Sequence, residues 1–459
     1  MNSFFRIFNP QSAIRNPKLK PLLLILIFFL MWVGLLEGNL YAMPPVQRMV
    51  LPNQLVLLVC EEHSLPFVTF QLLINSGSRQ DPLGQEGLAN LTARGLLLGS
   101  LNRSVNTINE EVDFMGASLN ASVGKDVANL SLRILKKDLD KGFDLFMEAL
   151  TRPAFPDEEI RREIEKTLAA IQSGEDEPGE VAQKEFQKAL FLKSPYGHPV
   201  EGTKESVPRL KREAILRFYQ TYYHPNNSIL AVVGDITGEE IRKKIIPHLV
   251  NWPMAKIPKV PFTGAFANER KMIKIDRGIT QANIVLGHAG ISRDNPNFYP
   301  FTVMNYILGS GGFSSRLVEE IRIKKGLAYS VTSYFDAGKY PGSFQIILQT
   351  KNSSAREAIS IALQQMERIR KESVSEKELE GAKKYLIGSF PMRLDTQGKL
   401  ASFITAVEYH GLGFDYASRF QSLIQSVTKE DVLRVAQKYL FPEKTVLVVV
   451  ANLKEVGMD

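Results

Sequence analysis

Cysteine is all but missing from this sequence: Cys60 is the single one among 459 residues. An intrachain disulfide, a cysteine-based zinc ribbon and an iron–sulfur cluster are thereby excluded. Histidine is scarce as well. The six, His63, His198, His224, His248, His288 and His410, include no two spaced three or four apart, so no helical pair of imidazole ligands exists. Excess charge of one sign is small. The formal net charge is +7, of which residues 1–42 supply +3 (Arg6, Arg15, Lys18 and Lys20 against Glu37), leaving +4 for the body. That is too mild for a nucleic-acid footprint. With 44% hydrophobic and 23% charged residues the composition is that of a globular protein, and disordered and collagen-like classes are out. At about 100–200 residues per domain, two domains or more are expected.

The one long apolar run is residues 21–36, PLLLILIFFLMWVGLL, behind a basic leader and ahead of Leu40-Tyr41-Ala42. Basic leader, apolar stretch and small residue at a cleavage position predict a secretory signal peptide over 1–42. The alternative is an uncleaved anchor, although a spanning helix needs about 20 apolar residues. Either way the body is expected beyond a membrane, periplasmic or otherwise extracytoplasmic, with membrane contact only through this segment.

The body contains an internal repeat. Residues 216–235, LRFYQTYYHPNNSILAVVGD, align with 433–452, LRVAQKYLFPEKTVLVVVAN, through Leu216, Arg217, Gln220, Tyr222, Pro225, Leu230, Val232 and Val233 against Leu433, Arg434, Gln437, Tyr439, Pro442, Leu447, Val449 and Val450. Each copy reads as a helix, a proline stop and a buried strand. A second echo sets Leu98-Gly99-Ser100 against Leu308-Gly309-Ser310 and Gly116 against Gly326. Copies of about 200 residues are too long for a solenoid repeat and predict two homologous domains, 43–250 and 269–459, joined by the proline-rich linker 251–268. Strands are expected at 54–60, 67–74, 283–287 and 327–335. Helices are expected at 86–98, 138–150, 157–173, 208–222, 297–308, 315–325, 354–371, 375–388 and 428–440. Strands and helices mix without strict alternation, which makes the fold class α+β, two α/β-sandwich domains.

Residues 84–100, GQEGLANLTARGLLLGS, carry Leu88, Leu91, Gly95 and Leu98 on one helical face and Asn90 and Arg94, four apart, on another. Here the sequence resembles the pitrilysin/insulinase family of zinc peptidases, the inverzincins, whose helix carries H-x-x-E-H. Asn90 stands at the first histidine, Ala93 at the glutamate and Arg94 at the second histidine. The resemblance places the third ligand, a glutamate ahead of Asp176-Glu177-Pro178, at Ala169 or Ala170. A guanidinium cannot ligate zinc, and alanine neither ligates nor takes a proton. Further similarity runs through SPYGHPVEG (194–202), FYQTYYHPNNSILAVVGDI (218–236) and NYILGSGGFSSRLVEEIRIKKGLAYSVTSY (305–334), so that it covers nearly all of 48–453.

The segment GSGGFSSR, 309–316, lacks the G-K-[S/T] ending of a phosphate loop. It reads as a flexible connection into a helix. The resemblance implies instead a glycine-rich substrate-handling wall with Gly309, Gly311 and Gly312. Arg322, in the last turn before a helix-ending Gly326, and Tyr329, early in the next strand, lie seven apart. The family's R-x6-Y pair implies that these two hold substrate backbone and assist a developing oxyanion, both being donors toward carbonyl oxygen. Taken alone, they read as a surface arginine near a helix C-terminus and a strand tyrosine.

The resemblance implies an exported, zinc-free subunit, a half-shell that pairs with a homologous H-x-x-E-H subunit to close a chamber around a peptide. No metal or other cofactor is expected in this chain; zinc is expected in the partner. The alternative is a peptide-binding or scaffold homologue with no part in catalysis. No Ser/His/Asp or Cys/His signature supports independent chemistry.

Overall fold

The computed structural model describes residues 43–458 apart from Lys193 and Thr263, so the expected signal segment 1–42 lies outside the described residues. Among these, no helix is long and apolar enough to cross a membrane. The strands are β1 (Gln47–Val50), β2 (Val56–Glu61), β3 (Phe67–Ile74), β4 (Ser118–Val123), β5 (Ala128–Leu135) and β6 (Ser228–Gly234) in the first half. The second half holds β7 (Lys271–Asp276), β8 (Gln281–Ala289), β9 (Ala328–Ala337), β10 (Pro341–Lys351) and β11 (Val446–Ala451). Helices of eight residues or more are α1 (Leu88–Gly95), α2 (Val105–Phe114), α3 (Leu139–Thr151), α4 (Asp157–Asp176), α5 (Pro178–Leu190), α6 (Arg212–Tyr222), α7 (Phe298–Asn305), α8 (Ala355–Lys371), α9 (Glu376–Ser389), α10 (Gln397–Tyr409), α11 (Tyr416–Gln425) and α12 (Lys429–Tyr439).

Two open sheets result, ordered β1-β2-β6-β3-β5-β4 and β7-β11-β8-β10-β9. Apart from the added edge strand β1 they have one topology. β2 runs parallel to β6 and β7 parallel to β11, and every other pair is antiparallel. The duplication read from α6–β6 and α12–β11 is therefore a duplication of the whole sheet. In the first sheet Val68, Phe70 and Leu72 of β3 stand opposite Ile134, Leu132 and Leu130 of β5 and share one core with α1, α3 and α6.

The opposite sheet faces are covered by an exchange. Helix α5 comes from the first half but packs on β8 and β11 of the second, where Ala182, Phe186, Ala189 and Leu190 join Val285, Val446, Val448 and Val450. Helix α10, at the matching place in the second half, packs on β3 and β6 of the first. Its ends are tied there: Gln397 donates to the Glu62 carboxylate at 2.8 Å, and Arg48 of β1 pairs with Glu408 at 2.8 Å. Both helices were absent from the expected elements, as were α2 and α11. Pro178, the last residue of the landmark Asp176-Glu177-Pro178, is a first-turn proline of α5.

The described residues of 251–268 form neither helix nor strand, yet the segment is pinned. Val260 O accepts from Arg79 at 3.1 Å, and the Phe262 ring stacks on Tyr340 at 4.5 Å. Arg79 also reaches Asp126 at 3.2 Å, and Tyr196 donates its hydroxyl to the same carboxylate at 2.6 Å. Asp126 sits in the β4–β5 turn against Gly338 of the β9–β10 turn, where a Cβ would lie 3.0 Å from its Oδ2. The tips of the two equivalent hairpins thus meet.

Phe186 tests the exchange. Phe186→Ala should destabilise the protein by about 3–5 kcal/mol in urea unfolding. Hydrogen exchange should then show lost protection first in β8 and β11, which belong to the other half of the sequence.

Candidate functional site

Helix α1 carries the motif positions and is built tightly. Gly87, at φ +96, turns the chain into it, and a Cβ there would fall 2.6 Å from Glu201 O. The Asp81 carboxylate serves as its cap, accepting from the backbone N–H of Gly87 at 2.9 Å and of Ala89 at 2.7 Å. Burial outweighs these two donors and pushes the Asp81 carboxyl up to about 7. Gly95 lies against the Phe155 ring, 2.7 Å from where a Cβ would sit. Leu88, Ala89, Leu91, Thr92 and Ala93 are buried, and Asn90 and Arg94 are the half-exposed residues of the helix.

Arg94 does not stand free. Its Nε donates to Glu163 of α4, a carboxylate only 7% exposed. Glu163 belongs to the inward stripe Ile160, Glu163, Thr167, Ile171 and Gly174. Ala169 and Ala170 are exposed. Ala170 lies two turns beyond Glu163, about 10 Å along the axis. The carboxylate that meets α1 is thus Glu163, which was not among the expected site residues. Its one signal in the sequence is a lone charge on an otherwise apolar and small helical stripe. A zinc ion does not fit this constellation: a guanidinium and a methyl group offer no lone pair, and the Arg94 charge repels a cation.

The second surface lies in the other half. The chain from 306 to 323 winds as wide π turns over Tyr306–Ser310 and Val318–Ile323 rather than as the expected helices 297–308 and 315–325 throughout. Gly326, at φ +63, ends the second of these as expected, its N–H donating to Arg322 O at 3.1 Å. Tyr329 follows on β9, which pairs only with β10 and so is a sheet edge, and its side chain is 76% exposed. The Arg322 guanidinium lies 5.7 Å from the Tyr329 ring centre and 5.0 Å from that of Phe313, both within cation–π reach. The structure therefore brings the expected pair together and adds Phe313, the lone aromatic of the glycine-rich segment. Among the described residues no carboxylate pairs with Arg322.

The three glycines differ. Gly309 is buried against β9, where a Cβ would come within 2.6 Å of Ser333 N, so it is a packing glycine and not the exposed wall expected of it. Gly311 is half-buried, with the Tyr306 carbonyl 2.7 Å from its Cβ position. Gly312 is exposed at φ +55, with open space around it.

Among the described residues no three His, Cys, Asp or Glu side chains converge as a metal-ligand set. His288 is buried, accepts from Phe441 N at 3.1 Å and is pushed down to about 4 by burial. His224 meets backbone carbonyls of Pro253 and Gln220 through its two ring nitrogens. These are structural contacts.

Two open, equivalent α+β sheets, with a helix bearing Asn90, Ala93 and Arg94 in the first half and an arginine–tyrosine pair beside an edge strand in the second, define a duplicated peptidase-type fold. Family models agree: Insulinase (Peptidase family M16) matches residues 56–204, and the Peptidase M16 inactive domain matches 209–386. The chain belongs to peptidase family M16, and its second match is of the family's inactive-domain type. It is 27% identical over 412 residues to a Streptomyces coelicolor protein described as a zinc protease, covering 88% of this chain and 89% of that one. It is 25% identical over 398 residues to the Helicobacter pylori non-peptidase homolog YmxG, covering 86% and 91%. The crystal structure of a peptidase M16 inactive domain from Pseudomonas fluorescens superposes with a TM-score of 0.83 at 27% identity, over 89% of this chain and 98% of that one.

Two outcomes follow from α1 and its surroundings. After dialysis, metal analysis of the purified chain should find well under one zinc per chain; a tight one-to-one zinc would contradict the ligand reading. Asp81 has a raised native pKa, so its protonated form is favoured by folding. Its contribution to stability is complete below the unfolded value of 3.8 and is lost as pH rises through about 7. Urea unfolding between pH 4 and pH 8 should show this decline, and Asp81→Asn, which cannot titrate, should flatten it.

Proposed function

We propose that this chain is an exported, zinc-free subunit of a family M16 peptidase, pairing with an H-x-x-E-H subunit and lending it substrate-binding donors. The observation that carries the reading is the Arg322–Tyr329 pair. An exposed guanidinium on the turn before β9, with no acid partner among the described residues, and a phenol hydroxyl on the exposed β9 edge sit side by side, where they can meet an extended peptide. Phe313 lies over the guanidinium and holds it beside the ring. Arg322 and Tyr329 then donate to the carbonyl oxygen as negative charge develops on it. Zinc, held by the partner, supplies the activated water. Asn90, Ala93 and Arg94 support the same division of labour, because Ala93 and Arg94 can neither ligate nor act as base, Asn90 offers one neutral amide oxygen in place of an imidazole, and Arg94 is tied to Glu163.

A second reading is a peptide-binding homologue outside catalysis. It is favoured by the edge strands β4 and β9, each paired on one side only, which can accept an added strand.

Turnover by the reconstituted pair separates the two. Tyr329→Phe keeps the ring and removes one donor. Loss of an oxyanion donor costs about 100–1000-fold in turnover, and a donor shared with Arg322 about tenfold at the least. Arg322→Ala should act on the same step and combine with Tyr329→Phe less than additively. Normal assembly with wild-type turnover in both variants would refute the donor role and leave the peptide-binding reading.

A further inference from the structure

Beneath the glycine-rich segment lies a cavity of about 520 Å³, walled by Tyr306, Phe313, Arg316, Lys377, Glu378 and Gly381. It adjoins the Arg322–Tyr329 pair through Phe313 without containing either residue. Arg316 is its buried charge. The side chain is 9% exposed and is gripped by Glu378, with Nε 2.6 Å from Oε1 and one terminal nitrogen 3.1 Å from Oε2.

Glu378 is in turn locked in place. It is the capping-box residue of α9 and accepts from the Ser375 backbone N–H at 2.8 Å. Burial raises its carboxyl, but the Arg316 and Ser375 donors outweigh this and hold it at about 2. It is therefore an anion at any working pH, already committed to two of the three guanidinium nitrogens.

The third nitrogen of Arg316, Nη1, is buried and has no acceptor among the described residues. Buried donors are almost always paired, and a charged one left unpaired points to a missing acceptor. The rest of the wall sets the kind of acceptor. Lys377 is an exposed ammonium at the rim, while Ile307 and Ala382 form an apolar inner surface. Glu319, Glu320 and Glu378 also border the space together with Arg368, which is spent on Glu320 and Glu372; three carboxylates then balance the three cations of the wall, which disfavours a dianion such as phosphate and leaves room for a single negative charge at the spare donor.

We infer that this cavity binds a carboxylate carried on an apolar group, the chemistry of a peptide's C-terminal residue. One carboxylate oxygen accepts from Arg316 Nη1, Lys377 faces the other, and the apolar group lies on Ile307 and Ala382. The ligand enters by displacing the Gly311–Ser314 roof, whose Gly312 is exposed with nothing within 4 Å of its Cβ position. That the carboxylate belongs to a peptide rests on the proposed function; the cavity and its spare donor do not.

The test uses the full chain without a partner, so pairing does not enter the result. An N-terminally fluorescein-labelled Ala-Ala-Ala-Phe with a free C-terminal carboxylate is titrated with the chain by anisotropy, beside the same peptide as its C-terminal amide. The free acid should bind, and the amide should bind at least about tenfold more weakly, as expected when a charge-assisted hydrogen bond is lost. Gly381→Leu, placed where a Cβ meets nothing within 4 Å, should fill the cavity and abolish binding without touching Arg316 or Glu378. Leucine is the better helix former, so thermal melting should show an intact fold. Arg316→Lys should also lose binding while keeping a cation beside Glu378. Competition by N-acetylphenylalanine as effective as by unlabelled peptide would identify a free small acid as the ligand of the same site. Equal binding of acid and amide, unchanged binding by Gly381→Leu, or no binding of the acid at millimolar concentration would each overturn the inference. None of these outcomes depends on the turnover of the reconstituted pair.

Discussion

The reciprocal exchange of α5 and α10 is the constraint on which the rest of this structure depends. Each sheet has one face covered by helices of its own half and the other by a helix of the opposite half. Neither half can bury both faces alone, so the two sheets are held in one body although the linker between them has no secondary structure. The hairpin tips add a polar clasp, in which Asp126 takes Tyr196 and Arg79 while Arg79 binds the linker at Val260. Because apolar burial scales with area, the exchanged Phe186 and its neighbours contribute more to this union than the exposed ion pair Arg48–Glu408, whose kind adds about 0–1 kcal/mol.

That rigid frame places two electrostatic situations at a distance from one another. On α1 a positive side chain stands in a metal-ligand position and is neutralised by Glu163, a buried carboxylate. Beside the β9 edge a positive side chain lies within cation–π reach of two aromatic rings and has no acid partner among the described residues. The first arrangement is closed on itself. The second leaves donors open to an incoming acceptor. A third guanidinium, Arg316, is intermediate, with two nitrogens spent on Glu378 and one unspent. Three arginines thus differ in how many of their donors are already spent, through their neighbours alone.

Much of the fold was legible in residue pattern. The apolar spacing of Leu88, Leu91 and Gly95 predicted α1, and Gly326 predicted the helix end before β9. Four helices escaped, α2, α5, α10 and α11, and of these α5 and α10 pack on the sheet of the other half, so no neighbour in the sequence marks their buried faces. Pro178 opens α5 within the landmark Asp176-Glu177-Pro178. At the site, Asn90, Arg94, Arg322 and Tyr329 were legible, whereas Glu163 and Phe313 were not. Only its place on the stripe Ile160, Thr167, Ile171 and Gly174 separates Glu163 from the nine other charged residues of α4, and that stripe gains meaning only once its burial is known. Gly309 was misjudged because a packing glycine and a flexible one look alike until the neighbouring strand is in place.

By itself the sequence determined the duplication, the helical and strand periodicities, the loss of the histidine and glutamate side chains at residues 90, 93 and 94, and the absence of any ligating atom at 93 and 94. These are matters of residue identity and short-range spacing, and no folding event can give alanine or arginine a lone pair for zinc. Only the tertiary structure decided which half each helix covers, that Arg94 is held by Glu163, 69 residues away, and that Phe313 joins Arg322 and Tyr329. It alone decided that Arg316 retains an unpaired donor. Each of these is a contact between side chains brought together by packing, and its energy depends on burial and distance, which the linear order of residues does not contain.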